Sequence, residues 1–530
     1  MKDKTQPNFL FIMCDQLRWD YLSCYGHPYL HTPNIDRLAR DGVTFDRAYC
    51  QAALCGPSRA SFYTGRYMSS HGAMTNDDPL KLGELTLGDY LGDLGYRTAL
   101  VGKTHTSYSV ASQRRLGLKL DTDQAKRLAC GGFEPFEVHE GLYPDPIVPE
   151  QLEYNEFLVA SGYDSQNPWG EYANSSIDEQ GEVVDGWLLR NNHLCARVSE
   201  PYSETAFATN RAMDFITETD EFTPWCLHLS YIKPHWPLVA PAPYHELYGP
   251  SEVMGAVSSE EQKHDSHPVY RAFREQEYSI NYSRPEVRNR VIPVYMGLIK
   301  QIDDQLGRLF DWLEERGLWE DTVVVFTSDH GDYLGDHWLG EKDLFHDCSS
   351  RIPFIIRDPR ASAEATRGHR QSALVEAIDL VPTLIEAAGG TPCRERLEGR
   401  SLLPYLHEAA SRDLPDGEFA ICEIDYSDRG ARTVLGVEPY LCRGYMLRSE
   451  KWKLNFFEGF DVQLFDMESD PNELYDLSHS AIHQETIRLL KDQLFTWLRQ
   501  RKQRTELPFE RLASMGPELD EKYGIIIGRW

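Results

Sequence analysis

The chain has 530 residues and carries 83 Asp and Glu against 54 Lys and Arg, a net charge of −29 at neutral pH. That balance excludes nucleic acid and anionic membrane as partners, since both recruit basic surface. An apolar share of 41% is enough for a large globular core, and no stretch approaches the roughly 18 apolar residues of a membrane span. The 11 cysteines are odd in number and scattered. None forms a Cys-x-x-Cys pair, so a disulfide framework is not expected and the chain reads as cytoplasmic.

In chain order, Phe9-Leu10-Phe11-Ile12-Met13 is a continuous apolar run, as in a parallel strand covered on both faces. It is too short for a signal peptide and lacks a small-residue cleavage site. Asp15 and Gln16 follow at its C-terminal end, the edge where open α/β sheets bind ligands. Thr32 to Gly42 reads as a helix with Thr32 as N-cap, Pro33 at the first position and Gly42 at the end. Next comes Leu54-Cys55-Gly56-Pro57-Ser58-Arg59. Ala60 to Tyr67 reads as a helix opening, so Cys55 falls just before a helix N-terminus, where backbone N–H groups and the dipole favour an anion. Asn76 lies in the polar loop Thr75-Asn76-Asp77-Asp78. Leu85 to Leu91 reads as a helix and Tyr96 to Val101 as a second core strand, ending in Gly102-Lys103-Thr104-His105.

From 107 to 201 the periodicity is poor, and Gly, Pro, Tyr, Trp and acidic residues are frequent. A long irregular segment of this kind is usually functional or mobile, and it is expected to wall the active site and select substrate. Ser203 to Thr217 reads as a helix and Trp225 to Tyr231 as a third strand. Lys233-Pro234-His235-Trp236-Pro237 then forms a rigid turn that fixes His235. His264 and His267 are expected at the surface. Val291 to Arg316 has helical periodicity. Asp321 to Phe326 is the clearest parallel-strand signal, with Asp329 and His330 just beyond it and Gly340-Glu341-Lys342 next. Arg351 to Ile356 reads as a strand and Ile378 to Leu384 as a helix. Near residue 410 the pattern changes to short strands with turns, Phe419 to Glu423, Tyr445 to Arg448, Trp452 to Phe456 and Gln463 to Asp466, followed by an amphipathic helix from Ile482 to Arg501. The expected fold is α/β: a large mixed, mostly parallel sheet sandwiched by helices, over residues 1–410 with the insertion at 107–201, and a smaller C-terminal α+β domain over 411–530. The apolar tail Ile525-Ile526-Ile527 to Trp530 is expected to pack on a neighbouring subunit of a homo-oligomer, a dimer or tetramer.

Asp15, Cys55, Asp329 and His330 would meet on one sheet edge. Two carboxylates there bring hard oxygen ligands suited to Ca²⁺, Mg²⁺ or Mn²⁺. Cys55-Gly56-Pro57-Ser58-Arg59, with the Phe9–Gln16 strand, Thr32-Pro33-Asn34, Gly102–His105, Lys233–Pro237, Thr327–Lys342 and the Leu447–Leu454 region, resembles the type I sulfatases of the alkaline phosphatase superfamily over most of the chain. The resemblance implies that Cys55 is oxidised to formylglycine by a formylglycine-generating enzyme. It implies one divalent metal, Ca²⁺ foremost with Mn²⁺ or Mg²⁺ as alternatives, held by Asp15, Gln16, Asn76, Asp329, His330 and the oxygen at position 55. Gln16 stands where many arylsulfatases carry a second Asp. Arg59 would steady the formylglycine hydrate, Lys103 and Lys342 would neutralise ester oxygens, His105 would act as base on the second hydroxyl, and His235 would stand near the leaving oxygen. The hydrate attacks sulfur in line and then expels sulfate as the aldehyde returns, which is why two hydroxyls on one carbon serve better than a serine. The activity implied is sulfate ester hydrolysis of the arylsulfatase type. Asp15-Gln16, Cys55-Gly56-Pro57 and Asn76 also look like phosphonate monoester or phosphodiester hydrolases, whereas Lys103-x-His105 looks like sulfatases.

Overall fold

The computed structural model describes residues 6–141, 148–149, 151–264, 266–408, 419–502, 505 and 508–514. Its central sheet contains β1 (Asn8–Asp15), β2 (Val43–Tyr49), β3 (Arg97–Gly102) and β4 (Glu134–Val138). After a small hairpin of β5 (Ser175–Ile177) and β6 (Val183–Asp185), the sheet is completed by β7 (Trp225–Pro234), β8 (Thr322–Ser328), β9 (Arg351–Arg357) and β10 (Arg370–Glu376). The spatial order is β10-β2-β9-β8-β1-β7-β3-β4. Strand β9 runs antiparallel to both neighbours and every other pairing is parallel. The C-terminal ends of β8, β1, β7 and β3 therefore lie side by side on one edge.

Every residue of β1, β7 and β8 is buried, which is why these strands read as largely apolar segments. Phe9, Phe11 and Met13 of β1 enter an apolar cluster with Phe62, Tyr63 and Leu380. Leu10, Ile12 and Cys14 enter another with Phe215 and with Ile299 and Leu306 of the helix Pro285–Glu315. The alternation of the pleat thus places helices on both faces of the sheet.

The helix Pro33–Asp41 begins and ends where the sequence indicates, with Thr32 at its N-cap position, but the Thr32 side chain makes no capping hydrogen bond. Thr32 pairs instead with Ser23, their hydroxyls 2.8 Å apart. The free N–H groups of Asn34 and Ile35 donate to the Asp303 carboxylate, each at 2.9 Å, from the long helix. A cap supplied by tertiary contact has no local signature. Within 107–201, β4 is a strand of the central sheet, so this part of the stretch belongs to the scaffold. Its residues are mostly half-buried without clean alternation, and its pairing shifts register at Leu100/Val101 of its partner. His267 is not at the surface. It is buried, and its ring bonds to the Asp461 carbonyl at 2.8 Å and to the Val269 N–H at 3.3 Å. The charged neighbours in sequence conceal that contact with the C-terminal sheet.

That second sheet is antiparallel, in the order β11 (Phe419–Asp425), β12 (Arg443–Ser449), β13 (Trp452–Phe457) and β14 (Gln463–Asp466). Leu447, Leu454 and Leu464 pack against Ile487, Leu490 and Trp497 of the helix Gln484–Arg499. The sheet shares core with the first layer through Ala420, Cys422 and Met446. The boundary near residue 410 and the apolar tail Ile525 to Trp530 lie outside the described residues.

His228 of β7 ties the Cys55–Thr64 helix to the sheet. Its Nδ1 donates to the Phe11 carbonyl at 3.1 Å, because a carbonyl can only accept. Its Nε2 then accepts from the Tyr63 hydroxyl at 2.9 Å, and the ring stacks on Phe11 at 4.2 Å. Burial pushes its pKa down to about 3. The unfolded chain, with an ordinary histidine pKa of about 6.5, binds a proton that the folded state refuses. His228 should therefore cost about 1.4 kcal/mol of stability per pH unit as pH falls from 6.5 toward 3. Denaturant titrations across that window should show a shallower acid slope, by about one proton, for His228→Gln than for the wild type.

Candidate active site

The chain leaves β1 at Asp15 through Gln16, whose φ of +63° lies in the left-handed region. That sharp exit is held from both sides. The Gln16 N–H donates to Asp329 Oδ1 at 3.0 Å, and its carbonyl accepts from the Tyr295 hydroxyl at 2.8 Å. Asp329 and His330 follow β8 directly, so Asp15 and Asp329 stand at the ends of paired strands.

Cys55 is the first residue of the helix Cys55–Thr64, which starts ahead of the Ala60 opening that the sequence suggests, and all ten residues of that helix are buried. No side chain caps it at Leu54. The orphan N–H of Gly56 is taken by Asn76 Oδ1 at 2.9 Å, Pro57 has none, and the Ser58 N–H reaches Leu54 at 2.9 Å. Gly56 is tightly enclosed. A Cβ there would stand 3.1 Å from Asn76 Oδ1 and 3.3 Å from the His105 carbonyl.

Arg59, fully buried one turn on, organises the edge. Nε donates to Asp329 Oδ2 at 2.8 Å and NH2 to Asp15 Oδ2 at 3.2 Å, while NH1 donates to Ser230 Oγ at 2.7 Å and the Lys103 carbonyl at 2.8 Å. Lys103 Nζ lies 2.6 Å from Asp15 Oδ2. Lys342 Nζ donates to Gln16 Oε1 at 2.8 Å and lies 3.2 Å from the Cys55 sulfur. His330 Nε2 is 3.2 Å from the same sulfur, and its Nδ1 donates to the Gly331 carbonyl at 2.9 Å.

The electrostatics follow from this crowding. Burial and Cys55 push the Asp15 pKa up, yet Lys103, His235 and Arg59 together hold it well below the usual carboxylate range. Burial also opposes a thiolate at Cys55, but Lys103, Lys342 and His330 outweigh it and hold the thiol well below its ordinary value. Burial works against a charged His330, while Asp329 and Cys55 raise its pKa to about 9. His235 goes the other way, its pKa lowered by burial and by Lys342. Its Nδ1 donates to the Trp236 carbonyl at 2.7 Å.

The acceptor atoms of Asp15, Cys55, Asp329 and His330 all lie within 4.8 Å of one another, from four buried residues. Such a set fits a single cation. With sulfur at position 55 it mixes soft and hard donors; with oxygen there it becomes a hard set of the kind that holds Ca²⁺, Mg²⁺ or Mn²⁺. Asn76 is placed beside this group by its bond to Gly56, and Gln16 by its bond to Lys342.

Residues 7–390 match the "Sulfatase" family model and residues 335–501 that of the C-terminal region of N-sulphoglucosamine sulphohydrolase. The chain belongs to the sulfatase family. It is 31% identical to the multifunctional alkaline phosphatase superfamily protein PehA of Trinickia caryophylli, over 93% of this chain and 95% of that one. It is 28% identical to an arylsulfatase of Clostridium perfringens, over 92% and 93%. The phosphonate monoester hydrolase of Silicibacter pomeroyi has the same architecture, with a TM-score of 0.81 and 26% identity over 94% of this chain and 96% of that one.

Several contributors had no signal in the sequence. Ser230 lies inside a strand. Glu140 comes from the irregular stretch, and its carboxylate accepts the N–H of Thr104 at 3.2 Å and of His105 at 3.0 and 3.1 Å. His105 has a φ of +48°, a costly backbone state for a residue with a Cβ. Its ring reaches the Cys55 sulfur, and its Nδ1 is buried with no hydrogen-bond partner among the described residues. Glu140 is thus the clamp that aims His105. Glu140→Ala should lower kcat on an aryl sulfate roughly 10- to 100-fold with little change in KM, and Glu140→Gln, which keeps one acceptor, should fall between. Steady-state kinetics on the three proteins check this.

Proposed function

We propose that this protein hydrolyses sulfate esters of the arylsulfatase type at position 55, after Cys55 is converted to formylglycine by a dedicated maturation enzyme. The observation that carries this reading is the ring of positive charge around the Cys55 sulfur. Lys342 and His330 stand at 3.2 Å, and Lys103 and Arg59 are anchored on Asp15 just behind. In a chain of net charge −29, fixed cations converging on one buried atom at a helix N-terminus mark a site for an anion.

Asp15, Asp329, His330 and position 55 would hold one divalent metal, Ca²⁺ foremost, with Gln16 Oε1 and Asn76 beside it. The bound metal would draw charge from the ester oxygens, and the converted residue would supply a hydroxyl pair as nucleophile. The chain's own groups do the rest. Arg59 holds both carboxylates in place. Lys103 and Lys342 meet the ester oxygens, with Lys342 on the leaving side next to His235. His105, aimed by Glu140 and with an Nδ1 that has no hydrogen-bond partner among the described residues, would accept a proton at position 55. All eleven cysteines are free, which fits a cytoplasmic protein. Among the described residues no helix is long and apolar enough to cross a membrane. A homo-oligomer remains part of the reading, as do the division at 1–410 and 411–530 and the role of 107–201 in walling the site.

A second reading, a phosphonate monoester or phosphodiester hydrolase on the same nucleophile, is favoured by the likeness to the Silicibacter pomeroyi enzyme. Kinetics on matched 4-nitrophenyl sulfate and phenyl phosphonate esters separate the two, with the higher kcat/KM expected on the sulfate. Chelation should abolish turnover and added Ca²⁺ or Mn²⁺ restore it. Lys342→Ala should lose about 10²–10³ in kcat, as when one donor to a developing oxyanion is removed. A Lys342→Ala protein of wild-type rate would exclude this lysine from the chemistry.

A further inference from the structure

Lys342 stands between two residues whose backbones lie in the left-handed region, Glu341 with φ +61° and Asp343 with φ +86°. Both carry a Cβ, so both positions are strained and must be held by their surroundings. Before the lysine, the Tyr333 N–H donates to the Glu341 carbonyl at 2.7 Å. After it, the Asp343 N–H donates at 2.9 Å to the carbonyl of Ala53, in an isolated antiparallel bridge. Ala53 is two residues ahead of Cys55. The backbone that carries Lys342 is thus tied directly to the segment that leads into the Cys55 helix.

The Asp343 side chain reaches into another part of the molecule. Arg429, between β11 and the helix Gly430–Leu435, donates to Asp343 Oδ1 from Nε at 3.2 Å and from a terminal nitrogen at 2.9 Å. The Asp343 side chain is only 6% exposed and that of Arg429 25%, so the pair is largely shielded from water. Asp428 is a weaker partner, 3.8 Å from Arg429 Nε. No other cation pairs with Asp343 among the described residues. Release of Asp343 would let its strained backbone relax, and Lys342 would move with it. Its Nζ has to span Gln16 Oε1 and the Cys55 sulfur, and a displacement of about 1 Å is enough to slow a reaction severely.

We infer that Arg429 is a positioning residue for Lys342: through Asp343, the C-terminal layer fixes the backbone from which the lysine meets the ester. The inference rests on the reading of Lys342 as a leaving-side group and adds a part for the C-terminal layer in the chemistry.

The test is a double-mutant cycle in full-length enzyme with Cys55 converted, read on whichever of 4-nitrophenyl sulfate and the phenyl phosphonate ester turns over faster. Arg429→Ala should lower kcat roughly 10-fold with KM little changed, and Arg429→Lys, which keeps the charge, should recover most of the loss. Asp343→Asn keeps a residue type that tolerates positive φ and should behave like Arg429→Ala. Added to Lys342→Ala, Arg429→Ala should cost nothing further, because no lysine is left to misplace. A merely structural role would instead lower both backgrounds by the same factor. Arg429→Ala at wild-type kcat, or a loss that multiplies in the double variant, overturns the inference while leaving Lys342 in its role. Lys342→Ala at wild-type rate counts against the reading of Lys342 itself, and the inference falls with it.

Discussion

The active edge depends on one buried guanidinium. Asp15 and Asp329 end neighbouring parallel strands, and two ionised carboxylates this close, out of water, would repel strongly. Arg59 enters from the Cys55 helix and donates to both, with Ser230 and the Lys103 carbonyl taking its remaining reach. The same contacts fix where the helix starts, and hence where position 55 sits relative to the carboxylates. Remove that fork and Asp15, Asp329 and the Cys55–Thr64 helix lose their common reference.

The remaining cations extend this arrangement. Lys103 satisfies the outer oxygen of Asp15, and Lys342 spans Gln16 and position 55. Lys103 is thus met by a carboxylate, and Lys342 by an amide oxygen and a sulfur. Glu140 and the left-handed exits at Gln16 and His105 show where backbone strain is balanced by hydrogen bonds to keep side chains on target.

Much of this was legible in the sequence for a physical reason. Strands β1, β7 and β8 are covered on both faces, so their apolar runs end abruptly in the polar residues Asp15, His235 and Asp329. The Cys55–Arg59 motif carries local geometry, a helix start with Pro and Gly where N–H groups must be absent or enclosed. What could not be read depends on distant partners. Asp303 caps a helix 269 residues away in sequence, Glu140 clamps a loop from an edge strand without clean alternation, and His267 is buried by a sheet formed later in the chain. Gln16 shows the limit within a motif: the residue type was visible, but its amide oxygen faces Lys342 because Asp332 accepts from its nitrogen at 2.6 Å.

The central claim is that position 55 works as an aldehyde-derived oxygen nucleophile. The most direct test is the mass of the peptide containing Cys55, measured across preparations of differing specific activity. The account predicts a loss of about 18 Da relative to the thiol, sulfur and two hydrogens replaced by one oxygen, in a fraction of chains that rises in proportion to turnover. Full turnover from chains whose Cys55 remains a thiol would contradict it.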